Sequence, residues 1–413
     1  MKYAVLVGDG MADRRMKVLS YRTPLQAART PNMDWLAGHG VLGMARTVPH
    51  GMGPGSDVAN LSIFGYDPAR HFRNVGRGPL EAAAMGLKLH RDDMAYRCNL
   101  VALDTASGEM IDHGCGDIES TDARKIIAFI RAHLQTRDIR FFPGVSYRHS
   151  LLIRKGPSEP DIVGPHDILG KDSRKYLPRS RVLRELVLRS QEILGECPTN
   201  KRRIATGKPP ATSIWPWGAG RALRLPSFKS KYGLSGAVIS AVDLIKGIGV
   251  SIGLDAVAVP GATGTLNTNY GGKVQHALRA LKKRDVVFIH VEAPDEASHH
   301  GDVKEKIEAI ERFDRRVVGA VRKGMKSFGE YAILVLPDHP TPIRIRTHAG
   351  DPVPFAVYST QSDAGHGATG RGFTEADAKK ARILIKGHEL MDVLLGNRDI
   401  QTNRVTHRSG RKR

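Results

Sequence analysis

Short, unbroken apolar runs recur along this chain, separated by stretches with helical spacing. Residues 3–7 (YAVLV), 286–291 (VVFIHV) and 331–336 (YAILVL) are such runs; 151–153 and 256–259 are shorter ones. Periodicity alone does not separate a run of this length from a buried helix. Pro337, Pro340 and Pro342 stop the 331–336 run too early for a helix, so a strand is expected there. Between the runs, Ile126, Ile127, Ile130 and Leu134 follow helical spacing. So do Val274, Leu278 and Leu281, and the series Ile307, Ile310, Phe313, Val317 and Val321. Thr30 as N-cap, Pro31 after it, and Gly38 and Gly40 as a stop predict a short helix. Residues 13–22 read as a polar loop. Strands alternating with helices predict an α/β fold with a mostly parallel sheet.

Three of these runs end in residues that carry chemistry. Asp9 closes the first. Asp295 lies just past the second, and His299 follows at i+4, on the same face of a helix. Asp338 and His339 close the third, and His348 follows after a short loop. In open α/β sheets ligands bind at the carboxyl ends of the strands, so these side chains can gather on one rim. Taken alone, each reads as a surface turn. Together, carboxylates and imidazoles at three strand ends favour a divalent metal site, with donors enough for two ions.

Residues 50–60 (HGMGPGSDVAN) hold a candidate nucleophile. Gly51, Gly53, Pro54 and Gly55 make a tight turn that presents Ser56 at a helix start, where free backbone N–H groups attract phosphate. Neither GxxxxGK[ST] nor GxSxG is present. A serine hydroxyl is a weak nucleophile unless a base or metal activates it; the competing role for Ser56 is a plain N-cap.

The chain has 413 residues, beyond the ~250–300 at which single cores stop growing, so two domains are expected. Cys98, Cys115 and Cys197 are too few and too widely spaced for a disulfide framework or a CxxC site, which fits a reducing compartment. The first strand begins at Lys2, leaving no room for a signal peptide, and no apolar run approaches the ~18–20 residues that span a bilayer. A cytoplasmic protein without membrane partners is expected. The net charge of +21 predicts attraction to anions. Part of the excess lies at 171–203, with ten Lys and Arg against four acids, and part in the tail at Arg404, Arg408, Arg411, Lys412 and Arg413. No RNA-binding signature or zinc finger is present and aromatics are only 6%. A specific nucleic-acid partner is therefore not expected, and only non-specific binding through the basic surface is left open. Oligomeric state is not legible.

The motifs LVGDGMAD (6–13), TPNMDWLA (30–37), PGSDVANLSIFGYDP (54–68), GRGPLEAAAMG (76–86), RCNLV (97–101), PGVSYRH (143–149) and PHDI (165–168) continue as GAVISAVDLIKGIG (236–249), PGATGTLNTNY (260–270), HVEAPDEASH (290–299) and LPDHPTP (336–342). Together they resemble the archaeal-type cofactor-independent phosphoglycerate mutases, in order and nearly end to end. That family belongs to the alkaline phosphatase superfamily of metalloenzymes.

The resemblance implies an alkaline-phosphatase-like sheet with helices on both faces, and a smaller inserted α/β domain. The expected divisions are a metal-binding domain in two parts (1–78 and 223–400), an inserted substrate-binding domain (79–222) that closes over the metal site, and a basic tail (401–413). A Trp-Pro-Trp-Gly-Ala-Gly segment at 215–220 reads as the returning linker. Ser56 matches the family's phosphorylated serine, which takes the phosphoryl group from 3-phosphoglycerate and returns it to give 2-phosphoglycerate, with no need of 2,3-bisphosphoglycerate. Asp9, Ser56, Asp338 and His339 match one metal's ligands; Asp295, His299 and His348 match the other's. Mn²⁺ suits this mixed donor set, with Zn²⁺, Co²⁺ and Mg²⁺ as alternatives. A related metal phosphatase, or a mutase for another phosphorylated metabolite, would share this rim. For the substrate, the candidates in the inserted domain are Arg97, Arg148 and His166, with Asp167 or His149 as proton shuttle; Lys246 is a further phosphate candidate or a snorkelling surface lysine. The chain departs from the family at Ser298, where Gly is usual, and at His300, a second imidazole beside His299. The basic extension after about Asn397 is also unusual for the family.

Overall fold

The unbroken apolar runs form central strands buried on both faces, as parallel strands covered by helices require. The computed structural model describes residues 1–72, 75–361 and 369–398; the basic tail at 401–413 lies outside them. The strands are, in chain order, β1 (Lys2–Gly8), β2 (Val41–Arg46), β3 (Asp93–Leu103), β4 (Met110–Asp112), β5 (Ile139–Phe142), β6 (Arg148–Arg154), β7 (Ser213–Gly220), β8 (Gly236–Ile239), β9 (Asp255–Ala256), β10 (Val286–Val291), β11 (Tyr331–Leu336), β12 (Val353–Ser359) and β13 (Leu384–Lys386). The chain separates into two units, 1–73 with 225–413, and 74–224.

The first unit holds an eight-stranded sheet in the order β13-β2-β12-β11-β1-β10-β8-β9. Only β12 runs against its neighbours. β11, β1 and β10 are adjacent, parallel and in register, with Val7 opposite both His290 and Leu336. The residues that follow these three strands therefore emerge side by side. On one face Leu6, Ile289 and Val335 pack among Leu36, Val274, Ile310 and Phe313 from three helices. On the other, Phe288 meets the rings of Phe64 and Phe228.

The second unit is built on a five-stranded antiparallel sheet in which β3 pairs with β6, with β7 and, at its C-terminal end, with β4. Ile126, Ile127, Ile130 and Leu134 of the helix Ser120–Leu134 are buried in its core. The 215–220 segment is not a linker. It lies within β7, with Trp215 fully buried and Pro216 opposite Cys98. Among the described residues β7 pairs only with β3, and an edge strand tolerates a proline that has no N–H to give.

Three smaller expectations are corrected. The 256–259 strand is confined to Asp255–Ala256, because β8 ends at Ile239 and Val257 donates the last bond, to the Val238 carbonyl. The helix Pro31–His39 forms, but Thr30 does not cap it; the Thr30 hydroxyl turns to Asp34, and buried Asp314 accepts from the backbone N–H groups of Asn32 and Met33. Asp314 opens five residues of π-helix, Asp314–Val318, between the helices Val303–Phe313 and Gly319–Met325. On that first helix Ile310 and Phe313 are fully buried as expected, but Ile307 is only half-buried, and Lys306 beside it is fully buried.

Candidate metal centre and nucleophile

Asp9 directly follows β1, and Asp338 and His339 follow β11 across a single proline. Asp295 and His299 share a face of the short helix Ala293–His300, which starts just after β10, and His348 comes from the loop beyond Thr341. The six side chains form two groups of donor atoms, Asp9–Asp338–His339 and Asp295–His299–His348, each within 4.8 Å. His339 Nε2 stands 3.5 Å from Asp9 Oδ1 and 3.5 Å from Asp338 Oδ2. His299 Nε2 stands 3.1 Å from Asp295 Oδ2, and His348 Nε2 3.6 Å from Asp295 Oδ1. The groups adjoin, since the rings of His339 and His348 are 4.0 Å apart.

Hydrogen bonds outside the groups set the imidazole tautomers. His299 Nδ1 is 2.9 Å from the Arg346 carbonyl, which can only accept, so the proton sits on Nδ1. The Thr341 hydroxyl donates to Asp295 and so accepts from His339 Nδ1 at 3.2 Å. Both rings thus turn Nε2 toward the carboxylates, the orientation that second-shell partners impose on metal-binding histidines. Asp338 is held by the N–H groups of Gly10 and His339 and by the Asn60 amide.

The electrostatics call for cations. Burial, followed by the charges of Asp338, Asp295 and Glu292, pushes the Asp9 carboxyl well above the usual range. Burial acts the same way on Asp295, but hydrogen bonds from His299 and His348 hold its carboxyl well below that range, and His299 is raised to about 9 by the same bond. Burial lowers His339 despite the nearby Asp338. Asp9 Oδ1 is fully buried without a hydrogen-bond partner. Three carboxylates converging with imidazole Nε2 atoms, one carboxylate oxygen unpartnered, fit divalent ions.

Ser56 opens the helix Ser56–Ile63, with Gly55 preceding it as an N-cap that has no side chain to offer. Its Oγ lies 3.0 Å from His339 Nε2. The hydroxyl therefore borders the first donor group, and the Asn60 amide, one turn on, bonds both the Ser56 carbonyl and Asp338. His300 is exposed and outside both groups. Ser298 is buried, its hydroxyl bonded back to the Pro294 carbonyl within the same helix.

His290 is a neighbour that sequence reasoning missed. It lies inside β10 with Nε2 3.1 Å from Asp9 Oδ2, and burial lowers it to about 4. A histidine within an otherwise apolar strand was the available signal.

In the second unit, Arg97 stacks 4.9 Å from the Trp217 ring and pairs with Glu81 at 3.1 Å. His166 lies edge-on to the same Trp217 and beside His113, 3.6 Å from exposed Asp167. Arg148 extends over Tyr147, which meets His113. Arg97, Arg148, His166 and Asp167 thus belong to one run of contacts, to which Trp217, Tyr147 and His113 had not been assigned. His149 does not. It pairs with Cys98 on the opposite face from Arg97, is buried, accepts from the Gly144 N–H, and is lowered by burial to about 3. In the first unit, Lys246 is held by Asp243 at 2.6 Å, one turn back on its own helix.

Among the described residues no helix is long and apolar enough to cross a membrane. The Metalloenzyme superfamily model matches residues 1–395. A probable 2,3-bisphosphoglycerate-independent phosphoglycerate mutase of Geobacter sulfurreducens is 49% identical over 96% of this chain and 100% of its own. A 2,3-bisphosphoglycerate-independent phosphoglycerate mutase of Methanosarcina barkeri is 49% identical over 96% and 99%. Among solved structures, the cofactor-independent phosphoglycerate mutase of Thermoplasma acidophilum aligns with a TM-score of 0.63 at 25% identity, covering 96% of this chain and 99% of that one. A protein of Pyrococcus horikoshii aligns at 0.78 and 32% identity, over 96% and 98%.

Proposed function

Because the chain belongs to the 2,3-bisphosphoglycerate-independent phosphoglycerate mutases of the metalloenzyme superfamily, we propose that it interconverts 3-phosphoglycerate and 2-phosphoglycerate through a phosphoserine at Ser56. The observation that carries this reading is the Ser56 hydroxyl at the edge of two adjoining three-donor groups.

Asp9, Asp338 and His339, with Ser56, would hold one divalent ion, and Asp295, His299 and His348 the other. Such ions supply Lewis-acid activation of the hydroxyl and neutralisation of phosphoryl charge, and Mn²⁺ is the ion we assign to this donor set. The chain's own residues do the rest. Ser56 Oγ attacks phosphorus; the Oγ–P bond forms, the bond from phosphorus to the substrate's C3 oxygen breaks, and that oxygen receives the proton Ser56 gives up. In the return step the C2 oxygen attacks, its proton goes back to Ser56, and the Oγ–P bond breaks. Composition is conserved, so no bisphosphoglycerate is needed. The helix start at Ser56 turns backbone N–H groups toward the transferred phosphoryl group.

Arg97 and Arg148 are proposed to grip the substrate's carboxylate and phosphate, and His166 with Asp167 to relay the proton between Ser56 and the reacting substrate oxygen. Burial lowers His166 despite the nearby Asp167, which favours the neutral ring a proton carrier needs. The three cysteines are free and buried, which supports a cytoplasmic setting.

The test is conversion of 3-phosphoglycerate by EDTA-stripped protein, without added 2,3-bisphosphoglycerate, before and after Mn²⁺. Activity that returns with the metal supports the mutase reading. Release of free phosphate alone would favour a phosphatase.

A further inference from the structure

The first unit carries a cavity of about 570 Å³ that none of the six metal-group residues, nor Ser56, lines. Its size falls within the ~300–1,000 Å³ of small-molecule sites. The floor is apolar, made by Met44, Pro340, Pro352, Ile383 and Leu384. Leu384 is 58% exposed, a large apolar side chain left in water beside it.

The rim is cationic, with Arg14, Arg15, Lys379 and Arg382. The acids that face the cavity are already engaged. Asp351 pairs with Arg14 at 3.0 Å, and Asp13 with buried Lys306 at 2.8 Å. Glu375 accepts from the Thr23 hydroxyl and from the Asp13 N–H. Arg15, Lys379 and Arg382 have no ion-pair partner among the described residues. Arg382 sits at φ +57°, just past the helix Glu375–Lys380, with its N–H bonded to the Lys379 carbonyl. That post-helix left-handed position ordinarily takes glycine, because any Cβ is penalised there. A long cation occupies it instead, at the mouth of the cavity.

We propose that this cavity binds a nucleoside phosphate, with its flat base on the apolar floor and its phosphate against Arg15, Lys379 and Arg382. Planar forks and an ammonium suit a phosphate, and proline and aliphatic faces suit a base. The proposal stands independently of the mutase reading, since it uses none of the proposed catalytic residues.

The experiment is calorimetric titration of AMP into the Mn²⁺-loaded full chain, with inorganic phosphate and adenosine as separate probes. AMP is expected to bind saturably, one per chain, with a Kd below roughly 1 mM. Binding is expected to persist in saturating 3-phosphoglycerate and to exceed that of either fragment. The double variant Arg15→Glu/Arg382→Glu is expected to weaken AMP by at least about ten-fold, and Leu384→Asp to weaken it independently, while both leave 3-phosphoglycerate turnover within about two-fold of the parent. No binding of AMP, displacement of AMP by 3-phosphoglycerate, or unchanged affinity in both variants would overturn the proposal.

Discussion

His290 Nε2, in β10, and Asp9 Oδ2, just past the end of neighbouring β1, lie 3.1 Å apart, both buried, yet they are not aligned as a hydrogen bond. With its pKa lowered to about 4 by burial, the ring is neutral at working pH and limits where the Asp9 carboxylate can swing. Metal-ligand orientation of this kind is worth about 10–100-fold in affinity. His290→Ala is therefore expected to weaken Mn²⁺ binding by about that factor, read by titration against a competing chelator, with activity largely restored at saturating metal. Unchanged affinity would remove His290 from the site's support.

Ser56→Ala is expected to abolish mutase turnover while leaving the circular dichroism unchanged. Only one proposed donor of the first group is lost, so Mn²⁺ binding should be weakened rather than eliminated. Substantial turnover in this variant would rule out a phosphoserine at Ser56.

Arg97→Lys replaces a planar fork, stacked on Trp217 and paired with Glu81, by a point charge. The expected result is a rise of about ten-fold in KM for 3-phosphoglycerate with a smaller change in kcat, the pattern of lost ground-state binding. Steady-state kinetics that leave KM untouched would assign Arg97 a purely structural pairing.

His149 is lowered to about 3 in the folded chain, against an ordinary value near ~6.5. Between those values the unfolded chain binds the proton and the folded one does not. The contribution is thus complete above about pH 6.5 and is lost as pH falls toward 3, with a slope of up to ~1.4 kcal/mol per pH unit. His149→Gln, which keeps an acceptor but does not titrate, is expected to flatten the acid side of the unfolding profile. Denaturant unfolding at several pH values would reveal an unchanged slope if His149 does not drive it.

Lys306 is fully buried, its Nζ bonded to Asp13 and to the carbonyls of Ala12 and Thr341. Lys306→Met leaves Asp13 charged and unpaired, at a cost of ~3–5 kcal/mol. A thermal or urea midpoint close to the parent's would show that the buried Lys306–Asp13 pair is not needed for stability.

Much of the metal rim was legible because strand ends are legible. Once the three apolar runs are taken as parallel neighbours, Asp9, Asp295 and Asp338 have to follow them onto one edge, and the nearby histidines come with them. His290 was missed because its one signal, a histidine inside an apolar run, does not say which neighbour it faces; only the pairing of β10 with β1 sets it beside Asp9. Lys306 was hidden because a lysine among acids on an amphipathic helix reads as solvated; only the loops after β1 and β11 give it partners. Residues 215–220 read as a linker because proline and glycine punctuate them, and only the pairing with β3 shows a strand edge. Thr30 has the right identity for a cap, but Asp314, far along the chain, takes that role.

The order of strands across the first sheet also sets a timetable for synthesis. β1 is made well before its two partners, β10 and β11, which follow only after the whole of 74–224 and several further elements. The second unit is continuous in sequence and depends on no later strand for its own sheet. During translation it has its complete set of local partners while β1 is still waiting for its own, and long-range parallel pairing of this kind is slow to form. The donor set reaches from Asp9 to His348, so a chain stopped anywhere before the last of these lacks at least one donor. In the proposed site the second donor group is therefore complete only once His348 has been made, after every strand of the sheet's parallel centre.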